Sequence, residues 1–182
     1  MRTALLELAA ELKTTDRTLR RALGQGLVNA QRPSPRTVDV SLAERTYLRR
    51  TWPLLAGLRE ALRTEPTVSL AVLFGSRARG NYSARSDVDL LVGLRDEPRP
   101  RQLASRLSQK LGLRVQLVTL EDARKAPLLL REVLREGRVL VDRDRQWRSL
   151  LREKEQVERA ARREQRQVAA QFVALFGDER AA

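Results

Sequence analysis

Residues 75–92 read GSRARGNYSARSDVDLLV. A glycine and a serine open the stretch, and two aspartates one residue apart, Asp87 and Asp89, stand at the mouth of the apolar run Leu90-Leu91-Val92. Side chains alternate across a strand, so Asp87 and Asp89 share one face while Val88 and Leu90 take the other. Two ionised carboxylates held together beside buried leucines repel, and either one left unpaired there costs on the order of several kcal/mol. A divalent cation resolves that conflict. Immediately upstream, VSLAVLF (Val68–Phe74) is a short apolar run with a β-branched start, the pattern of a buried strand. It delivers the chain to Gly75-Ser76, where a glycine permits close backbone approach and a hydroxyl can donate to a phosphate oxygen. Alone, the Asp-x-Asp pair would be better read as solvated carboxylates balanced by Arg77, Arg79 or Arg85. Together with the glycine-serine turn it reads as a magnesium (or manganese) site facing a nucleoside triphosphate.

Composition narrows the chemistry further. The 182 residues contain no cysteine and no histidine, which excludes disulfides, thiol nucleophiles, the usual structural zinc and any Ser-His-Asp triad. A metal must then be held by carboxylates, hence a hard ion. The formal charge of +13 makes polyanions the expected partners. The N-terminus has no apolar leader-like core, and no window approaches a membrane-spanning run, so a soluble, cytoplasmic protein is expected.

Upstream of the opening stretch, Leu5, Leu8, Ala9 and Leu12 recur at helical spacing. A polar break at Lys13-Thr14-Thr15 leads into DRTLRRAL, a second helix with Thr15 or Asp16 as N-cap and Gly24 or Gly26 at its end. LVNAQRPSPRTVDVSL then reads as strand, turn, strand, with Arg32-Pro33-Ser34-Pro35-Arg36 at the tip. Two short helices and a hairpin look like a winged helix-turn-helix, with Arg17, Thr18, Arg20, Arg21, Arg32 and Arg36 as DNA-binding candidates. Residues 13–50 carry nine basic and three acidic side chains, which favours a phosphate-facing surface. The alternative is a small packing module with solvated arginines.

Ala43 to Arg63 is a longer helical pattern, with Pro53 expected to kink or restart it. Past the Asp-x-Asp strand, Pro100–Gly112 reads as a helix, Leu113–Leu120 as a strand, LLLREVLREG as a helix and RVLVD as a strand. From Asp144 to Phe176 the chain reads as one long helix with Trp147, Leu150, Leu151, Val157, Ala161, Val168, Phe172 and Phe176 near one apolar stripe. Such a stripe suits a docking helix, within the chain or at a dimer or partner interface.

The expected fold class is α+β. Its centre is a mixed sheet with helices at 65–142, preceded by a small winged helix-turn-helix-like domain at 1–42 and a connecting helix at 43–64. A C-terminal helix at 143–182 completes it.

Gly75-Ser76, ten intervening residues, then Asp87-Val88-Asp89, with Gly80 and Ser86 in place, closely resembles the signature of polymerase-beta-like nucleotidyltransferases, in particular the minimal nucleotidyltransferase group. The resemblance implies transfer of a nucleoside monophosphate from a nucleoside triphosphate to a protein or RNA hydroxyl. It implies Asp87 and Asp89 as catalytic magnesium ligands, with Gly75, Ser76, Arg79 and Ser86 on the nucleotide phosphates. Small members are often paired with HEPN-type toxins as antitoxins; a tRNA end is the competing acceptor. The family commonly takes a third carboxylate from the next strand, where this chain has Gln116. An amide adds no negative charge and accepts no proton at neutral pH, so Glu121 or Asp122 would have to reach in, or the site binds nucleotide without turning it over. The second expectation is a DNA-binding regulator whose transferase-like domain is a degenerate nucleotide or partner sensor.

Overall fold

The computed structural model describes residues 2–34, 37–95 and 99–176. The chain starts with α1 (Arg2–Glu11) and α2 (Asp16–Gln25). Thr15 caps α2, its hydroxyl accepting from the Thr18 amide at 3.1 Å, and Gly26 ends it in the left-handed region at φ +83°. Gly24 lies inside the helix. β1 (Gln31–Ser34) and β2 (Thr37–Asp39) form an antiparallel pair. Pro33 falls within β1 rather than at the tip, which a two-stranded ribbon permits because each strand has a free edge. Pro35 and Arg36, and the side chain of Arg32, lie outside the described residues.

α3 (Leu42–Arg63) runs unbroken through Pro53, contrary to the expected restart. Leu48, Trp52, Leu55, Leu58 and Leu62 are buried on one stripe to either side of the proline. That continuous burial holds the helix in one piece despite the missing N–H donor.

The main sheet has four strands in the order β5-β4-β3-β6, where β3 is Val68–Phe74, β4 Val88–Leu94, β5 Val115–Thr119 and β6 Arg138–Asp142. β3 pairs antiparallel with β4 and β6, and β4 runs parallel to β5. Alternation splits the core in two. Ala71, Leu73, Leu90 and Val92 face a core shared with α1, α2, α3 and α5 (Pro100–Leu111). Leu70, Val72, Phe74, Leu91 and Val139 face a second core, closed by α6 (Leu120–Arg124), α7 (Pro127–Glu136) and the C-terminal helices.

The long C-terminal helix is present as α9 (Lys154–Phe176), with the start of the expected span set off as a short helix, α8 (Gln146–Arg152). The break falls at Glu153, whose carboxylate accepts from both terminal nitrogens of Arg124 at 2.9 and 3.2 Å. This turn lets Leu150 and Trp147 pack into the second core while Val157 and Ala161 of α9 are buried as well. Leu151 and Val168 are 43% and 56% exposed, and the side chains of Phe172 and Phe176 lie outside the described residues. Among the described residues no helix is long and apolar enough to cross a membrane.

Candidate functional site

β3 ends at Phe74 and the chain turns at Gly75 into α4 (Gly75–Arg79). Gly75 sits at φ +72°, and a Cβ there would come within 2.5 Å of Asp89 Oδ2. Only a glycine lets that carboxylate rest against the turn. The Ser76 side chain is half-buried beside it and its hydroxyl makes no hydrogen bond among the described residues; its carbonyl accepts from the amides of Gly80 (2.9 Å) and Asn81 (3.2 Å), closing α4. Gly80 is also left-handed (φ +85°), and a Cβ there would meet the Tyr47 ring at 2.9 Å.

Asp87 lies just before β4 and Asp89 within it, on the pleat face of Leu91, so the two carboxylates point to one side as the alternation requires. Burial, then repulsion from Asp87, raises the Asp89 carboxyl above its ordinary value, against the pull of Arg79 and Arg77. The parallel register sets Gln116 beside Asp89, and the Gln116 amide donates to Asp87 Oδ2. Arg114 Nε stands 3.7 Å from the same oxygen. The site therefore has two acids and an amide.

Glu121 and Asp122 do not supply the missing acid. They lie beyond Thr119, which pairs with Val92, at the opposite end of the strands from Asp89. Glu121 bonds Lys125 at 2.8 Å and Asp122 accepts from the Thr119 hydroxyl at 2.7 Å. Among the described residues no three Asp, Glu, His or Cys side chains form a metal-sized cluster.

Arg77 has a part that the sequence reading missed. Rather than balancing a carboxylate from solvent, it is 5% exposed and donates to the carbonyls of Ser86 (2.7 and 3.0 Å) and Asp87 (3.1 Å). The Tyr82 ring lies 5.0 Å from its guanidinium carbon, and the Tyr47 hydroxyl donates to the Arg77 carbonyl at 3.2 Å. These contacts pin the loop that brings Asp87 to the turn. Nothing in the local periodicity marks Arg77 as buried.

Arg79 reaches Glu136 of α7 at 2.5 Å, while the Ser86 hydroxyl accepts from the Ser83 amide at 2.9 Å and so serves its own turn. In the N-terminal part, Arg20 pairs with Asp16 at 2.7 Å, whereas Arg17, Thr18 and Arg21 line a cleft between α2 and α3.

A mixed sheet carrying Asp-x-Asp against a glycine-serine turn defines a nucleotidyltransferase-type domain. Residues 57–146, just under half of the chain, match the family model described as Polymerase beta, Nucleotidyltransferase. Among solved structures, a crystal structure of a toxin–antitoxin with AMP-PNP contains a chain 23% identical, with a TM-score of 0.55, the alignment covering 65% of this chain and 98% of that one. A chain of the MntA–HepT toxin–antitoxin is 21% identical at TM-score 0.52, covering 67% and 98%. A chain from the complex of tri-AMPylated Shewanella oneidensis HEPN toxin with MNT antitoxin is 20% identical at TM-score 0.52, covering 68% and 98%. At these identities the likeness shows a shared fold. No curated protein matches the chain.

Proposed function

We propose that the domain transfers a nucleoside monophosphate from a nucleoside triphosphate to a hydroxyl of a protein partner, one of HEPN type. The observation that carries this reading is that Asp87 and Asp89 point to one side, with the Asp89 carboxylate resting against the left-handed Gly75 of the Gly75-Ser76 turn. The complexes in which similar chains are found, with AMP-PNP in one and an AMPylated HEPN toxin in another, support the substrate and the partner. Two repelling carboxylates, one with its carboxyl raised by burial and by the other, fit a divalent cation such as Mg2+ or Mn2+. Asp87 and Asp89 would hold it, and bound there it would neutralise charge on the phosphates. The backbone at Gly75 and the free hydroxyl of Ser76 would orient the phosphates. Arg79, paired with Glu136, already acts on Asp89 through its charge, and Ser86 acts by shaping the loop before Asp87.

The test is incubation of the purified chain with a HEPN partner, each labelled nucleoside triphosphate in turn, and Mg2+ or Mn2+. Label should enter the partner, and Asp87→Ala with Asp89→Ala should abolish it. A parallel reaction with tRNA tests the competing acceptor. Absence of transfer under every nucleotide and metal overturns the proposal.

The Gln116 amide bonded to Asp87 favours a second reading, in which the site binds nucleotide without turnover and the chain acts as a sensor. The DNA contact expected of residues 1–42 would then supply its output. Nucleotide binding that saturates without pyrophosphate release supports this reading over the first.

A further inference from the structure

Away from the paired aspartates, α2, α3 and the end of β6 enclose a cleft of about 570 Å3, within the size range of ligand sites. Its location is remote from the turn at Gly75: Asp142 in the cleft pairs with Leu70, while Arg138 at the other end of β6 pairs with Leu73, next to that turn. Leu27, Trp52, Ala56 and Leu140 give it an apolar floor, and Thr14, Thr18 and Gln25 add hydrogen-bonding groups at the wall.

Five arginines line it, against Glu60 and Asp142. Two of the five are committed. Arg143 caps α3 through the carbonyls of Leu62, Arg63, Glu65 and Pro66, and Arg63 pairs with Glu60 at 2.9 Å. Asp142 is engaged too, accepting from the Gln146 amide at 2.8 Å. Arg17, Arg21 and Arg59 remain without a carboxylate. Arg59 is half-buried, donates to the neutral Gln25 at 2.8 Å, and has its pKa lowered by burial and by the nearby Arg21 cation. Arg17 and Arg21, one helical turn apart on α2, have no ion pair or hydrogen bond among the described residues. Three guanidinium groups converging over an apolar floor lack an anion, and their planar forks suit phosphate oxygens.

We propose that this cleft is a second binding site, for a phosphate group carrying an apolar moiety: a nucleotide, free or as a unit of a single nucleic-acid strand. The phosphates lie on Arg17, Arg21 and Arg59, and the base or sugar lies over the Trp52–Leu140 floor. Arg17 and Arg21 of α2 and Arg59 of α3 line the same cleft, so the ligand lies between the two helices.

The test uses the full chain in EDTA, which silences any metal-dependent binding at Asp87 and Asp89, with a fluorescein-labelled 12-nucleotide single strand as probe. ATP and tripolyphosphate serve as competitors. Saturable binding that weakens with salt is expected. Arg17→Gln with Arg21→Gln should reduce affinity tenfold or more, while Arg17→Lys with Arg21→Lys retains most of it. Both side chains are exposed, so folding is preserved, and thermal unfolding checks this. A charge-matched control, Arg162→Gln with Arg163→Gln on α9, should change affinity less than twofold. Displacement of the strand by ATP more readily than by tripolyphosphate assigns a free nucleotide. Binding of the strand without competition by either assigns single-stranded nucleic acid. Equal losses in the cleft and control variants mean diffuse attraction to the net positive charge and overturn the proposal. Preference for a duplex of the same sequence, lost on neutralising Arg17 and Arg21, overturns it in favour of groove reading by α2.

Discussion

Arg138 and Glu44 form a buried ion pair, at 2.6 and 3.0 Å, that ties the edge strand of the main sheet to the first turn of α3. Their side chains are 6% and 7% exposed. The guanidinium also donates to the carbonyls of Ala78 and Leu27 and lies 3.6 Å from the centre of the Tyr47 ring, while Glu44 accepts from the Asn29 amide. One cation thus joins the end of α2, the start of α3, the short helix after the Gly75 turn, and β6.

Removing one partner leaves a charge buried without its counter-ion. Glu44→Gln or Arg138→Met should lower unfolding free energy by about 3–5 kcal/mol, read from urea denaturation. Replacing both by methionine should recover most of that loss, because no uncompensated charge remains.

The Tyr47 phenol sits inside the same cluster, and burial pushes its pKa from 10 up to about 12. The folded state therefore keeps its proton where the unfolded chain loses it. Stability from this group is fully present below pH 10 and falls as pH rises toward 12, by up to about 3 kcal/mol. Tyr47→Phe should flatten that part of the pH profile, measured by denaturant midpoints between pH 9 and 12 (about the accessible alkaline range).

Gly75→Ala should separate stability from function. The left-handed backbone costs on the order of 1–2 kcal/mol for an L side chain, a modest loss in a thermal melt. The new methyl meets the Asp89 carboxylate directly, so metal-dependent nucleotide binding and transfer should be lost. Retained binding would show that Asp89 need not rest against the turn.

Gln116→Glu restores a third acid in nearly the same volume. Without metal it should destabilise by about 1 kcal/mol, since a carboxylate then faces Asp87 and Asp89 across adjacent strands. Mn2+ should raise the melting temperature of the variant more than that of the native chain, and any transfer activity should increase. An equal metal response in both proteins would show that position 116 lies outside the cation's reach.

The glycine-serine turn and the shared face of Asp87 and Asp89 were legible in the sequence because they are local. A strand has a two-residue period whatever surrounds it, and the β-branched runs Val68–Phe74 and Arg138–Asp142 carry their own bounds. The ends of α2 were narrowed to Thr15 or Asp16 and to Gly24 or Gly26, and the structure takes Thr15 and Gly26. Pro53 misled because helix breaking is also judged locally, while a stripe buried along the whole of α3 outweighs one lost donor. Glu153, where α8 ends, is bonded by Arg124, 29 residues away, a contact that no local pattern shows.

Strand alternation and the shared face of Asp87 and Asp89 could be read from the chain alone. The tertiary structure alone decided that Gln116 stands beside Asp89, that Arg77 holds the loop carrying Asp87, and that Arg17 and Arg21 face α3 across a cleft. The first and last of those placements join segments tens of residues apart, and the second needs the burial of Arg77. They follow from the summed burial of two cores on a four-stranded sheet, a quantity no single stretch of chain contains.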